Sequence, residues 1–274
     1  MEKVKNAKLM NGVEIPYVGL GTFRSKENEL ANAVKSAVEI GYTSFDTAWI
    51  YENEAEVANG IKASGRKREE FFITSKLWNA FQGYDSTLKA FDVSLELLDT
   101  DYIDLYLIHW PGKGRFVDTW KAFEKLYKEK RIRAIGVSNF LTHHLDELLP
   151  NCEITPMVNQ IEAHPYYMDY KTIEYCQSKG ILMEAWSPLG FGSALLSEKT
   201  LVDIAQAHGK TTAQITLRFL IQTGIRVIPK SVNPDRQKQN LDVFDFELDA
   251  QEMDAIKKLN TNQRLGDDPD KFLW

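Results

Sequence analysis

The sequence predicts a single (β/α)8 TIM barrel, spanning residues 1–274, with an N-terminal β-hairpin that closes its bottom. Two observations carry this prediction: strand-like and helix-like periods alternate almost from end to end, and the strand candidates number eight. Parallel neighbours need crossover helices, and eight strand–helix units are the number that closes a barrel. The rival is an open doubly wound sheet, but its G-x-G-x-x-G fingerprint is missing, because "GLGTFR" (19–24) supplies only two glycines.

The hairpin is the first element along the chain. The segment "KLMNGVEIPYV" (8–18) contains Asn11-Gly12, a dipeptide that strongly favours a tight hairpin turn. The eight strand candidates follow as short runs rich in Ile, Val, Phe and Tyr, which are typical of buried parallel strands. They lie at 17–21, 43–48, 71–77, 102–109, 132–139, 156–163, 181–189 and 225–230.

Helical patterns separate these strands, for example at 29–40, 87–98 and 119–130. Three glycines, Gly41, Gly180 and Gly224, follow predicted helices at positions where a left-handed residue commonly ends a helix. The segment after Leu259 is polar with scattered aromatic residues, and it is expected to form an ordered loop or flap.

Composition and charge limit the possible functions. The chain has 39 acidic and 33 basic residues, a net charge of −6, which gives no basic footprint for nucleic acid. It lacks an apolar stretch of about 20 residues that could span a membrane, and its first residues lack the apolar core of a signal peptide. Cys152 and Cys176 show no metal or redox spacing. We therefore expect a cytoplasmic protein that binds neither nucleic acid nor membrane.

Polar side chains that could take part in catalysis or binding lie near the carboxyl ends of most predicted strands. In chain order they are Asp46, Lys76, His109, Ser138, Asn139, Gln160, Trp186, Ser187 and Lys230. Each alone has an ordinary structural explanation, such as a helix cap for Asp46 or a satisfied core histidine for His109. The carboxyl ends of barrel strands share one rim, however, so these residues are expected to surround one cavity.

Tyr51 follows Asp46 by five residues and is the natural proton donor of this group. A lysine ammonium about 4 Å from a phenol oxygen is worth roughly 4 kcal/mol at an effective dielectric near 20. Lys76 is therefore expected to lower the pKa of Tyr51, with Asp46 holding Lys76 charged and aimed. A neutral His109 would orient a substrate carbonyl. Such a site protonates an oxygen beside an electrophilic carbon, and it requires a hydride source.

Eight short motifs resemble those of the aldo-keto reductases in order and spacing. They are "GLGTF" (19–23), "FDTAWIYENE" (45–54), "SKLW" (75–78), "LIHWP" (107–111), "GVSNF" (136–140), "NQIE" (159–162), "WSPLG" (186–190) and "IPKS" (228–231). The chain is most similar to the compact microbial branch that reduces keto-sugars, glyoxals and small aldehydes. The resemblance implies that Tyr51, Lys76, Asp46 and His109 form a catalytic tetrad, with Tyr51 as general acid in reduction.

The resemblance also implies an NADP(H) cofactor and a monomer. Ser138, Asn139 and Gln160 would hold the nicotinamide carboxamide, Trp186 would stack on the ring, and the loop 187–196 would wrap the pyrophosphate. Two charges and a hydroxyl in 228–240 suit a 2′-phosphate, which favours NADP over NAD. The full set expected to bind the cofactor is Thr22, Ser138, Asn139, Gln160, Trp186, Ser187, Leu189, Ser193, Lys230, Ser231, Val232, Asn233, Arg236, Gln239 and Asn240.

Aromatic residues are expected to wall the pocket for a small-molecule carbonyl substrate. They are Phe23, Trp49, Trp78 and Trp110, beside His109. The segment 110–120 is short compared with the long lid of animal relatives, and it implies a relatively open site.

Three other functions compete with this interpretation. A metal hydrolase is disfavoured, because His143 and His144 are adjacent on a helix and no H-x-H or H-E-x-x-H pattern exists, so no metal is expected. A Schiff-base aldolase could use Lys76 or Lys230 as its nucleophile. The third alternative is a nicotinamide-binding, redox-sensing subunit without significant turnover.

Overall fold

The computed structural model describes residues 5–112, 114–192 and 194–272. Within these ranges the chain forms a two-stranded hairpin and an eight-stranded parallel sheet. The hairpin pairs β1 (Asn6–Lys8) with β2 (Glu14–Pro16). The strands of the large sheet are β3 (Leu20–Gly21), β4 (Ser44–Asp46), β5 (Phe72–Leu77), β6 (Ile103–Ile108), β7 (Ile132–Ser138), β8 (Val158–Glu162), β9 (Leu182–Trp186) and β10 (Ile225–Val227). They lie side by side in chain order.

The first and last strands of this sheet meet and close the barrel. Val18 and Gly21 form parallel bridges with Val227 and Lys230, respectively. The backbone N–H of Gly19 donates to the carbonyl of Val227 at 3.0 Å. The predicted (β/α)8 barrel is confirmed, and the alternative of an open doubly wound sheet is wrong.

Helices cover the outside of the barrel. They are α1 (Glu27–Ile40), α2 (Glu54–Ala63), α3 (Tyr84–Leu97), α4 (Phe116–Lys128), α5 (Thr142–Leu148), α6 (Tyr170–Ser178), α7 (Lys199–His208), α8 (Thr212–Gln222), α9 (Pro234–Leu241) and α10 (Ala250–Lys257). Gly41, Gly180 and Gly224 have φ of 119°, 73° and 79°, so the expected left-handed residues after helices are present. Within the described ranges, no helix has the length and apolar character needed to cross a membrane.

The central strands are buried on both faces, as their continuous apolar runs predict. Every residue of β5 and of β6 is buried. On the side facing the helices, Tyr106 of β6 stacks on Phe123 of α4 with ring centroids 4.9 Å apart, and Trp120 of α4 is fully buried. Because apolar packing occupies both faces along most of each strand, polar side chains in the barrel interior stand out as functional candidates.

The hairpin covers the amino-terminal end of the barrel. Gly12 in its turn has φ of 87°, and Ile15 on its second strand is fully buried. The Asn11 side-chain amide donates to the carbonyl of Arg133, at the start of β7, at 2.9 Å. The hairpin therefore lies at the bottom, opposite the rim on which the strands end.

The tail after Leu259 is a loop without helix or strand through residue 272. Its backbone N–H groups at Leu265 and Gly266 donate to the buried carboxylate of Glu162, at the end of β8, at 2.6 and 3.1 Å. Farther along, Phe272 stacks on Trp110 with ring centroids 4.0 Å apart. The tail thus crosses the carboxyl rim as an ordered flap.

Candidate active site

Asp46, Lys76 and Tyr51 meet at the carboxyl rim of the barrel. Asp46 ends β4, Lys76 is the penultimate residue of β5, and Tyr51 ends a single 3-10 turn that follows β4. The Lys76 ammonium donates to Asp46 Oδ1 at 2.5 Å and to the Thr47 carbonyl at 2.8 Å. It also interacts with the Tyr51 hydroxyl and lies 5.1 Å from the centre of that ring.

Burial and the neighbouring charges both shift the pKa values of Tyr51 and Lys76. Burial, the largest effect, raises the pKa of Tyr51; Lys76 lowers it and Asp46 raises it, so that the net pKa is above its usual value. The expectation that Lys76 would produce a net lowering was therefore wrong. Lys76 itself stays charged, because burial disfavours its ammonium but Asp46 and Tyr51 outweigh burial and raise the pKa of Lys76.

His109 lies directly after β6 and faces the same point. Its ring is edge-on to Tyr51, with centroids 5.6 Å apart, and edge-on to Trp78 at 5.4 Å. Burial and, secondarily, the Lys76 ammonium lower the pKa of His109 well below its usual value, so the imidazole is neutral at physiological pH. Its Nδ1 has no hydrogen-bond partner among the described residues, and a neutral imidazole can donate to a carbonyl oxygen from one nitrogen.

Ser138, Asn139, Gln160 and Trp186 form a second cluster beside the first. Trp186 Nε1 donates to Asn139 Oδ1 at 2.8 Å, and Asn139 Nδ2 donates to Ser138 Oγ at 3.2 Å. Ser138 Oγ donates to the Gln160 carbonyl at 2.9 Å, and Gln160 Nε2 donates to Asp46 Oδ2 at 2.8 Å. The indole is thereby fixed as a half-buried flat surface. The remaining hydrogen-bonding capacity of the three polar side chains, as acceptors, fits the NH2 group of a carboxamide.

A cavity of about 1190 Å³ connects the two clusters. Its lining includes eighteen of the residues predicted from the sequence: Thr22, Phe23, Asp46, Tyr51, Trp78, His109, Trp110, Ser138, Asn139, Gln160, Trp186, Ser187, Leu189, Lys230, Ser231, Arg236, Gln239 and Asn240. Lys76 lies behind Tyr51 and is fully buried. A cavity of this volume has room for a dinucleotide together with a small substrate.

Four residues that were predicted to bind cofactor or substrate either do not line the cavity or lie outside the described residues. Trp49 does not line the cavity and packs edge-on against Phe81 at 4.5 Å. Val232 does not line it either, and Asn233 caps α9, where its Oδ1 accepts from the Arg236 N–H at 3.0 Å. Ser193 lies outside the described residues.

The tail adds residues that the motifs did not predict. Leu265, Gly266, Asp267 and Phe272 line the cavity, and Phe272 lies face to face with Trp110, with an interplanar angle of 20°. Scattered aromatic residues in a polar segment were the available signal. Their partner on the rim could not be identified from the order of residues.

Two buried charges beneath the cavity were also missed. Glu184 and Arg226 lie opposite each other on β9 and β10, form an ion pair, and are both fully buried. Each is a single charged residue inside an apolar strand, which is costly unless the charge is paired. That pattern is the signal that could have found them.

His143 and His144 converge although they are adjacent in sequence. Their Nε2 atoms lie 2.9 and 3.5 Å from Asp270 Oδ1, so the expectation that these neighbouring helical histidines point apart was wrong. The backbone N–H of Leu141 donates to His144 Nδ1 at 3.1 Å. This contact places the proton of a neutral His144 on Nε2, where it faces Asp270 and opposes metal ligation by that nitrogen.

Comparison with known proteins places this geometry in a family. The family model described as "Aldo/keto reductase family" matches residues 17–261. Glyoxal reductase of Bacillus subtilis (strain 168) is 54% identical over 97% of this chain and 97% of that protein. The 9,11-endoperoxide prostaglandin H2 reductase of Trypanosoma cruzi (strain CL Brener) is 52% identical over 97% of this chain and 95% of that protein.

A solved structure agrees with these relatives. The crystal structure of a Gox0644 mutant in complex with NADPH is 42% identical and superposes with a TM-score of 0.95, covering 100% of both chains. A family match over most of the chain, joined with relatives more than half identical over nearly its full length, shows that this chain belongs to the aldo/keto reductase family.

Proposed function

We propose that this chain is an NADPH-dependent reductase that transfers hydride to the carbonyl carbon of small aldehydes, ketones or keto-sugars, with Tyr51 as general acid. One observation carries the proposal: a buried, charged Lys76 contacts both Asp46 and Tyr51, and Tyr51 lines a cavity that His109 also lines. Family membership supports it, as do the relative named glyoxal reductase and the similar structure in complex with NADPH.

Each residue of the tetrad has a distinct role in this proposal. Tyr51 gives its proton to the carbonyl oxygen as the carbon is reduced, and Lys76 stabilises the phenolate that remains. Asp46 keeps Lys76 charged and aimed. His109, neutral because its pKa is lowered, donates to the carbonyl oxygen and orients it. General acid help of this kind contributes roughly 10²- to 10⁴-fold.

NADPH would supply the hydride when bound. The acceptors of Ser138, Asn139 and Gln160 would hold its carboxamide, and the fixed indole of Trp186 would carry the ring. At the other end of the cavity Lys230 and Arg236 are exposed cations beside Ser231. A dianionic 2′-phosphate suits such a pair. We place the aldehyde between Tyr51 and the aromatic wall of Trp78 and Trp110.

The charge state of Lys76 argues against a Schiff-base aldolase. A lysine attacks a carbonyl only as the neutral amine, whereas burial opposed by Asp46 and Tyr51 leaves the pKa of Lys76 raised. Borohydride in the presence of a carbonyl substrate should therefore leave Lys76 unmodified. A substrate-linked adduct on Lys76, or one on Lys230 in preference to other exposed lysines, would favour the aldolase.

A panel of carbonyl substrates, assayed with NADPH and with NADH, tests the proposal. Methylglyoxal, nitrobenzaldehyde and keto-sugars are expected to be reduced with NADPH. Tight NADPH binding without turnover across the panel would instead identify a redox-sensing subunit.

We also propose that the chain is one domain acting as a cytoplasmic monomer without nucleic-acid partners. The eight-stranded barrel in a single sheet and the net charge of −6 support this. Light scattering in solution is expected to give the mass of one chain, 31.4 kDa.

A further inference from the structure

One side-chain amide joins two buried carboxylates inside the barrel. Gln160 Nε2 donates to Asp46 Oδ2 at 2.8 Å and also to Glu184 Oε1. All three residues are at most 2% exposed. Ionised carboxylates only accept hydrogen bonds, so these contacts require Gln160 to turn its nitrogen, and not its oxygen, toward both acids.

Arg226 holds the second of these acids in place. Its Nη1 contacts the other oxygen of Glu184, its Nη2 donates to Ser44 Oγ at 2.5 Å, and its Nε donates to the Pro16 carbonyl at 2.7 Å. A Cβ at Gly19 would lie 2.5 Å from Nη2, so glycine leaves the room that the guanidinium needs. Burial lowers the pKa of Arg226 to about 10, and the guanidinium still keeps its charge at neutral pH.

We propose that Glu184 and Arg226 are positioning residues for cofactor binding: their ion pair fixes the carbonyl oxygen of Gln160 toward the cavity, where it selects a ligand group that donates hydrogen bonds. The inference rests on the proposed function, because the donor is the carboxamide NH2 of a nicotinamide. Gln160 lines the cavity. The two acids bind its Nε2, so Oε1 is the atom of the amide that remains to accept from a ligand. A carboxamide offers two N–H donors, whereas an acetyl group offers none.

Glutamate suits position 184 because both of its oxygens accept, one from Gln160 and one from Arg226. A glutamine there would have to turn its NH2 toward one of these donors. Arg226 has no acceptor to offer, so the new amide oxygen is expected to face Arg226. The NH2 then faces Gln160, whose Nε2 keeps only Asp46 as an acceptor, so the orientation of its amide is less firmly fixed.

A thermodynamic cycle on ligand binding tests the proposal. Dissociation constants are measured by calorimetry for NADP⁺ and for its 3-acetylpyridine analogue, with the wild type, Glu184→Gln and Glu184→Gln/Arg226→Met. The wild type is expected to prefer NADP⁺ by about five- to tenfold, the worth of one hydrogen bond. The single variant should lower the ratio, although Asp46 still accepts from Gln160 Nε2. The double variant should restore it, because the oxygen of residue 184 is again free to face Gln160.

The matched control is Glu247→Gln, which removes a carboxylate 3.1 Å from another buried arginine, Arg218, outside the cavity. Its ratio should equal that of the wild type. If Glu184→Gln does not fold, Arg226→Lys, which cannot make all three contacts of the guanidinium, should still lower the ratio.

Equal weakening of both ligands in Glu184→Gln, with the wild-type ratio preserved, would assign the ion pair a purely structural role and overturn the inference. A wild type that binds NADP⁺ and its analogue equally would also overturn it. A wild type that binds neither dinucleotide would instead refute the proposed function.

Discussion

Tyr51 and Lys76 come from different elements and meet because β4 and β5 pair in parallel, with Asp46 opposite Thr74. Apolar runs that each end in a polar residue were enough to predict this meeting, since parallel strands of a barrel end on one rim. The sign of the pKa shift at Tyr51 was not predictable in the same way. It depends on how closely the neighbouring rings exclude water from the phenol, and packing distances are not contained in the order of residues.

Tyr51→Phe tests the proposed role of Tyr51 as general acid. We expect the rate of carbonyl reduction to fall by about 10²- to 10⁴-fold, because the proton donor is lost while the ring is kept. NADPH affinity should stay unchanged. Steady-state kinetics with methylglyoxal and a fluorescence titration with NADPH measure the two quantities.

Tyr84→Phe serves as the matched control for that substitution. Tyr84 begins α3, is 40% exposed and does not line the cavity, so its loss of a hydroxyl should leave both quantities as in the wild type. Near-normal turnover in Tyr51→Phe would remove the role of general acid from Tyr51.

At the scale of elements, one buried carboxylate holds the tail in place over the rim. Glu162, fully buried at the end of β8, accepts from two successive backbone N–H groups of the tail. Gly266 lies so close to Trp186 that an added Cβ would overlap the indole. The indole cannot yield easily, because Asn139 holds its N–H. A polar tail predicted as a flap is therefore also a wall of the proposed nicotinamide site, a role that only the three-dimensional contact reveals.

Gly266→Ala should displace either the tail or the indole of Trp186. We expect weaker NADPH binding, by about tenfold if one ring contact is lost, with little change in overall thermal stability. Gln263→Ala is the control, since Gln263 is an exposed residue of the same tail that does not line the cavity. Unchanged NADPH affinity in Gly266→Ala would show that the tail and the indole move apart without consequence.

The start of α2 carries a buried acid that makes stability depend on pH. Burial raises the pKa of Glu54 to about 7, despite hydrogen bonds from Ser75 and Ser94 and the nearby Lys76. A raised pKa means that the folded protein holds this proton more tightly than the unfolded chain does. The resulting stabilisation is complete below about pH 4.5, the unfolded value, and is lost as the pH rises through 7.

Glu54→Gln removes this titration while keeping the shape of the side chain. Relative to the wild type, the free energy of unfolding of the variant is expected to increase by about 3 kcal/mol between pH 4.5 and pH 8. Urea unfolding at several pH values measures it. Parallel curves for the two proteins would show that Glu54 does not titrate in this range.

At the scale of the whole molecule, barrel closure creates one cavity from residues spread between Gly21 and Phe272. The eight motifs were sufficient to predict this fold and most of the lining, because strand ends and glycine turns are local features. Contacts that cross the barrel were not predictable. The pair of Glu184 with Arg226 and the return of the tail over the rim both depend on the closed geometry.

We expect the choice between NADPH and NADH to depend on two exposed cations of the cavity lining, Lys230 and Arg236. Replacing Lys230 and Arg236 together by alanine should raise the NADPH dissociation constant about 10- to 100-fold, because hydrogen bonds to charged groups are the strong ones. NADH lacks the 2′-phosphate, so its affinity should change little. Lys238→Ala removes an exposed charge from the same helix, α9, outside the cavity lining, and it should alter neither constant. Equal losses of NADPH and NADH affinity in the double variant would mean that these two cations do not read the phosphate, and the preference for NADPH would then have to come from another part of the barrel rim.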